Sequence, residues 1–89
     1  MSYVVVIMKI LPSSSETDMK KILEKIKRTL SQEYSIIDHK EEDIAFGLKS
    51  LILGIRMPEN KEGGTFELEE IISNIDGVGS ISILGVSRA

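Results

Sequence analysis

The chain has 89 residues, 42% of them apolar and 28% charged, with 11 basic and 14 acidic side chains and a formal net charge of −3. That length supports one small domain, residues 1–89, with a single core, and the acidic balance argues against a nucleic-acid binder that depends on bulk positive charge. Cysteine is absent, which rules out a disulfide framework and any thiolate metal site.

Residues 3–11 (YVVVIMKIL) are rich in Val and Ile and stop at Pro12. The run is too short for a membrane span and is interrupted by Lys9. It also lacks the basic leader and small-residue cleavage site of a signal peptide, so the expected location is the cytoplasm, without membrane attachment. It reads as a mostly buried strand, with Val4, Val6, Met8 and Ile10 on one face and Tyr3, Val5, Ile7 and Lys9 on the other. Residues 12–18 (PSSSETD) are a helix start, with Ser15 as the expected cap and Glu16 and Asp18 favouring the positive end of the helix dipole. Met19, Ile22, Leu23, Ile26 and Leu30 follow at helical spacing, and Lys20, Lys21, Lys25, Lys27 and Arg28 fall on the outer face.

A second strand is expected over residues 34–40 and a polar turn over 41–43. The apolar stretch 44–57 holds a third strand that ends at Pro58, and residues 60–64 (NKEGG) form a loop. Thr65 is placed to cap a second helix, with Phe66, Ile71, Ile72 and Ile75 available for the core and Gly77 closing it. Residues 78–86 (VGSISILGV) alternate and read as a fourth strand. The resulting order, βαββαβ, is the α+β ferredoxin-like split sandwich. Right-handed crossovers set the strand order 4-1-3-2 in an antiparallel sheet, with both helices on one face.

No catalytic constellation emerges. His39 is the sole histidine, and strand alternation sends it and Asp38 to opposite faces, so no metal site assembles there. The serines of 12–18 match no phosphate-binding loop and are explained by capping. The loop after the first strand lacks the arginine-assisted phosphate cradle of the acylphosphatases, small enzymes that share this fold. Only Tyr3 and Phe46 lie on the central strands, too few for an aromatic RNA platform. Taken from the residues alone, Phe46 is open between two roles: a core side chain after a turn, or an aromatic held out for a partner.

Three stretches carry a resemblance to a known family: VVVIMKILPSSSETDM, EEDIAFGLKSL and GVGSISILGVSRA. They resemble the opening strand and acidic helix start, the acidic turn with its Ile-Ala-Phe-Gly segment, and the last strand with its short basic tail, of the elongation factor 1-beta family. The likeness spans nearly the whole chain and extends to the archaeal members and to the C-terminal exchange domain of the eukaryotic ones. It implies a non-enzymatic guanine nucleotide exchange factor in translation, acting without a cofactor on the GTPase elongation factor 1-alpha. In that family a phenylalanine docks on the GTPase and a C-terminal basic side chain reaches toward its magnesium site. Carried onto this sequence, the resemblance implies docking by Phe46 with its neighbours Ile44, Ala45 and Gly47, and an intruding cation at Arg88 beside Ser87. Two departures stand out. Asp43 occupies a place where many members have proline, and Arg88 one where the eukaryotic domain has lysine, which keeps the charge but changes the head group. A monomer is expected. The alternative is a regulatory or dimerising module on the same fold, without exchange activity, that pairs through its apolar sheet face (Tyr3, Val5, Ile7).

Overall fold

A computed structural model of the chain, describing residues 2–14, 16–60 and 64–88, contains four strands and two helices. In chain order they are β1 (Tyr3–Pro12), α1 (Met19–Thr29), β2 (Ser35–Asp43), β3 (Lys49–Pro58), α2 (Phe66–Ser73) and β4 (Val78–Arg88). A single 3-10 turn, Ala45–Gly47, separates β2 from β3. The strands form one antiparallel sheet in the order β2-β3-β1-β4. This is the 4-1-3-2 arrangement of the ferredoxin-like fold that the element order predicted.

Alternation decides which side of the sheet the helices cover. Val6, Met8 and Ile10 of β1 are fully buried, and their cross-strand partners on β3 are Ile55, Leu53 and Leu51. These same-face rungs meet Met19, Ile22, Leu23 and Ile26 of α1 and Leu68 and Ile72 of α2 in one core cluster. Burying each aliphatic side chain of this size contributes roughly 1.5–3 kcal/mol, so this face alone explains the packing of both helices. Among the described residues no helix lies over the other face of the sheet. There Tyr3, Val5, Ile7 and Lys9 are half-buried, and the Arg56 guanidinium lies 4.9 Å from the Tyr3 ring centroid.

Several boundaries differ from the sequence expectation, each for a physical reason. Glu41, Glu42 and Asp43 are strand residues rather than a turn, paired with Leu51, Ser50 and Lys49. β2 is an edge strand with almost nothing buried, so it carries the polar composition of a loop. The third strand accordingly starts at Lys49, not at residue 44. The cap of α1 is Asp18, whose carboxylate accepts from the Lys20 amide at 3.0 Å; Ser15, the expected cap, lies outside the described residues. Thr65 precedes α2 without capping it, and its hydroxyl instead bonds the Glu69 carboxylate at 3.2 Å. Phe66 is exposed, and Leu68 takes the core position. α2 ends at Ser73, so Gly77 does not close it. Gly77 stands at φ 100° before β4, where an added Cβ would come within 2.6 Å of Ile22 Cδ1.

Candidate functional site

The β2–β3 hairpin ends in a closed tip. The Ile44 amide donates to the Leu48 carbonyl at 2.8 Å, and the Leu48 amide donates to the Ala45 carbonyl at 3.3 Å. Reversing the chain in so few residues requires left-handed backbone, which both Phe46 (φ 63°, ψ 32°) and Gly47 (φ 75°) adopt. Glycine does so freely, whereas a bulky aromatic in this region is an outlier that stores of order 1 kcal/mol of strain. The ring gains no burial in return, for Phe46 is 96% exposed, the most exposed large apolar side chain among the described residues. The core alternative for Phe46 is thereby excluded.

The neck of the hairpin holds this ring away from the body of the sheet. Asp43 faces Lys49 across the last rung, and ion pairs join Lys49 to Glu41 (4.0 Å) and Lys40 to Glu42 (3.6 Å). Ser50, fully buried beneath the neck, donates to the Glu42 carbonyl at 3.5 Å. Ile44 is half-buried, while Ala45 and Gly47 are exposed beside Phe46, so these four residues form one contiguous tip. A groove of about 350 Å³ runs from Gly47, Leu48 and Lys49 to Thr17, Asp18 and Lys20 at the start of α1.

Arg88 and Ser87 lie at the other end of the sheet. β4 runs antiparallel to β1, which sets Arg88 opposite Val4 and Ser87 opposite Val5. The Arg88 side chain is 84% exposed and touches Glu59 at 3.3 Å. Glu59 follows β3 and is anchored by its amide to the Ser2 carbonyl at 3.0 Å. No sequence signal revealed this partner, because the contact spans β1 and arises only from sheet order. The ten residues of β3 rise about 3.3 Å each, which puts roughly 30 Å between the tip and this cation.

Between the two ends the described residues hold no group of three or more His, Cys, Asp or Glu side chains able to bind a metal ion. Among them no helix is long and apolar enough to cross a membrane. What the geometry offers is two exposed, chemically different contact points, one aromatic and one cationic, too far apart for a single small ligand. The family described as the EF-1 guanine nucleotide exchange domain matches residues 5–89. The chain is 44% identical over 85 residues to Elongation factor 1-beta of Sulfolobus acidocaldarius, covering 96% of this chain and 94% of that protein. It is 43% identical over 88 residues to Elongation factor 1-beta of Saccharolobus islandicus and of Saccharolobus solfataricus, covering 99% of this chain and 97% of each relative. The matched span takes in β3, almost all of β1, both helices and both ends of the sheet, and the chain therefore belongs to the EF-1 guanine nucleotide exchange domain family.

Proposed function

We propose that the chain promotes exchange of GDP for GTP on elongation factor 1-alpha, using the hairpin tip to dock and Arg88 to disturb the nucleotide site. The observation that carries this reading is Phe46. A 96% exposed ring on a strained, hydrogen-bonded turn stabilises nothing within the chain and gains its burial only against a partner. Ile44, Ala45 and Gly47 shape the surface around it. The partner must present an apolar pocket for the ring and, roughly 30 Å away, the anionic nucleotide site, which a multidomain GTPase does.

At the far end, GDP is held by charge-assisted phosphate contacts and by magnesium. A guanidinium brought beside that ion repels it and competes for its ligands, while Ser87 sets the approach of the chain end. Binding energy at Phe46 offsets the cost of that approach. Arg88 is available for it because an exposed contact such as that with Glu59 is weak and solvent-screened. No covalent bond is made or broken. By linkage, a protein that weakens GDP binding itself binds the GDP-loaded GTPase less tightly than the nucleotide-free form.

The test is stopped-flow release of fluorescently labelled GDP from elongation factor 1-alpha. Addition of the chain is expected to accelerate release. Excess GDP with magnesium is expected to dissociate the complex. A release rate that stays at its spontaneous value with saturating chain would refute the proposal.

A further inference from the structure

The two edges of the sheet are unlike. At one edge, every residue of β2 from Asp38 to Asp43 is charged or histidine, a composition that discourages strand addition. At the other, β4 has no charged residue or proline from Val78 to Ser87, and among the described residues it pairs with β1 alone. Its outward N–H and C=O groups are therefore a template for one more extended segment. α2 lies beside the first part of this edge. Phe66, Glu69, Glu70 and Ser73 stand at positions i, i+3, i+4 and i+7, one stripe of the helix. That stripe and the successive β4 residues 78–81 are the two walls of a groove of about 460 Å³. Successive strand residues point to opposite faces of a sheet, so a groove that touches all four opens along the strand edge and not onto one face.

The walls also specify what fits between them. The helical stripe rises about 10 Å, the length of about three extended residues. Phe66 begins it, and its ring is 69% exposed, an apolar surface with no cover among the described residues. Glu69 and Glu70 occupy its middle. Glu69 accepts from the Thr65 hydroxyl at 3.2 Å, and among the described residues neither carboxylate forms an ion pair. Two carboxylates beside a free strand edge favour a lysine or arginine and repel an acidic segment. Apolar ring, acidic middle and open backbone together describe a receptor for an extended, basic and apolar stretch of chain.

We propose that the groove between α2 and β4 takes an extended segment of a partner protein by strand addition, the segment alternating apolar residues with at least one lysine or arginine. Main-chain hydrogen bonds to β4 supply the attachment. Every second side chain of the segment turns toward α2, where an apolar one packs on the Phe66 ring and a cation meets Glu69 and Glu70. So short a segment buries less than a standard interface, and binding is accordingly weak. The proposal does not require the exchange reading, since no residue of the groove belongs to the hairpin tip or the chain end.

The probe is an acetylated and amidated peptide, Thr-Val-Thr-Arg-Thr-Val-Thr, which alternates and reads the same in either strand direction. It is titrated to about 5 mM into the full chain, held at one concentration and followed by amide NMR shifts and hydrogen exchange. The expected result is saturable shifts along β4 and the facing stripe of α2, a dissociation constant below about 1 mM, and slowed exchange of the outward β4 amides. Replacing the peptide's arginine by glutamate is expected to weaken binding at least about tenfold. The double change Glu69→Gln and Glu70→Gln is expected to weaken it about fivefold or more. Phe66→Ala is expected to do the same with the melting temperature unchanged, because the ring is largely exposed. Absence of saturable shifts at about 5 mM overturns the proposal. So does binding that leaves β4 exchange unaltered, which would be side-chain adhesion without strand addition, and so does equal binding of the glutamate peptide. Protection of the same amides that grows on concentrating the chain without peptide would give the edge to a second copy and likewise overturn it.

Discussion

Phe46 and Arg88 stand at opposite ends of the sheet, separated by the length of β3, and neither side chain contributes to the core. Both side chains are exposed, so under the proposed function the residues that would meet a partner are not the residues that hold the core together. Changes at either end are expected to leave stability nearly intact and to move only partner-dependent measurements.

For Phe46→Ala the unfolding free energy is expected to stay within about 0.5 kcal/mol of the parent, since the ring makes no core contact. Affinity for elongation factor 1-alpha, measured by calorimetric titration, is expected to fall at least about tenfold, as for a central aromatic anchor. A drop in melting temperature of about 5 °C or more with affinity intact would show that the ring is a packing residue after all.

Backbone strain at the tip gives a second prediction. Gly47→Ala has open space for the new methyl but must hold φ near 75°, and is expected to cost roughly 1 kcal/mol in urea unfolding. Phe46→Gly relieves the neighbouring strain and is expected to be no less stable than the parent, while losing docking as fully as Phe46→Ala. Equal stability of Gly47→Ala and the parent would mean that the tip readily adopts another turn.

At the opposite end, Arg88→Ala is expected to change stability by less than about 1 kcal/mol, because an exposed ion pair contributes little. Stimulated GDP release is expected to slow markedly, with Arg88→Lys retaining part of the effect through its charge. Glu59→Gln removes the intrachain contact and is expected to leave release as fast as the parent or faster. A slower Glu59→Gln variant would make Glu59 a positioning residue for the cation instead of a resting partner.

The cap of α1 is testable on its own. Asp18→Ala is expected to cost about 1 kcal/mol by thermal melt, and Asp18→Asn to recover most of it, since the amide oxygen can still accept from Lys20 N–H. Full stability in Asp18→Ala would show that another residue caps this helix.

The layered architecture is legible in the chain through periodicity alone. Alternation in β1 and the spacing of Met19, Ile22, Leu23 and Ile26 each name a buried face. Once those faces exist, handed crossovers leave one strand order. The same logic failed along β2, because an edge strand with nothing to bury carries no apolar alternation, and Glu41 to Asp43 looked like a turn. It also failed at Phe66 and Leu68, where only the position of the sheet beneath α2 decided which of the two goes inside. The sequence located Phe46 and Arg88 as points of interest through family resemblance. Tertiary structure alone decided that the ring is exposed, since that depends on two left-handed residues closed by the Ile44–Leu48 hydrogen bond. It likewise placed Glu59 beside Arg88 and left the edge of β4 unpaired. These relations join residues far apart in the chain, and no local pattern encodes which strand will lie beside which.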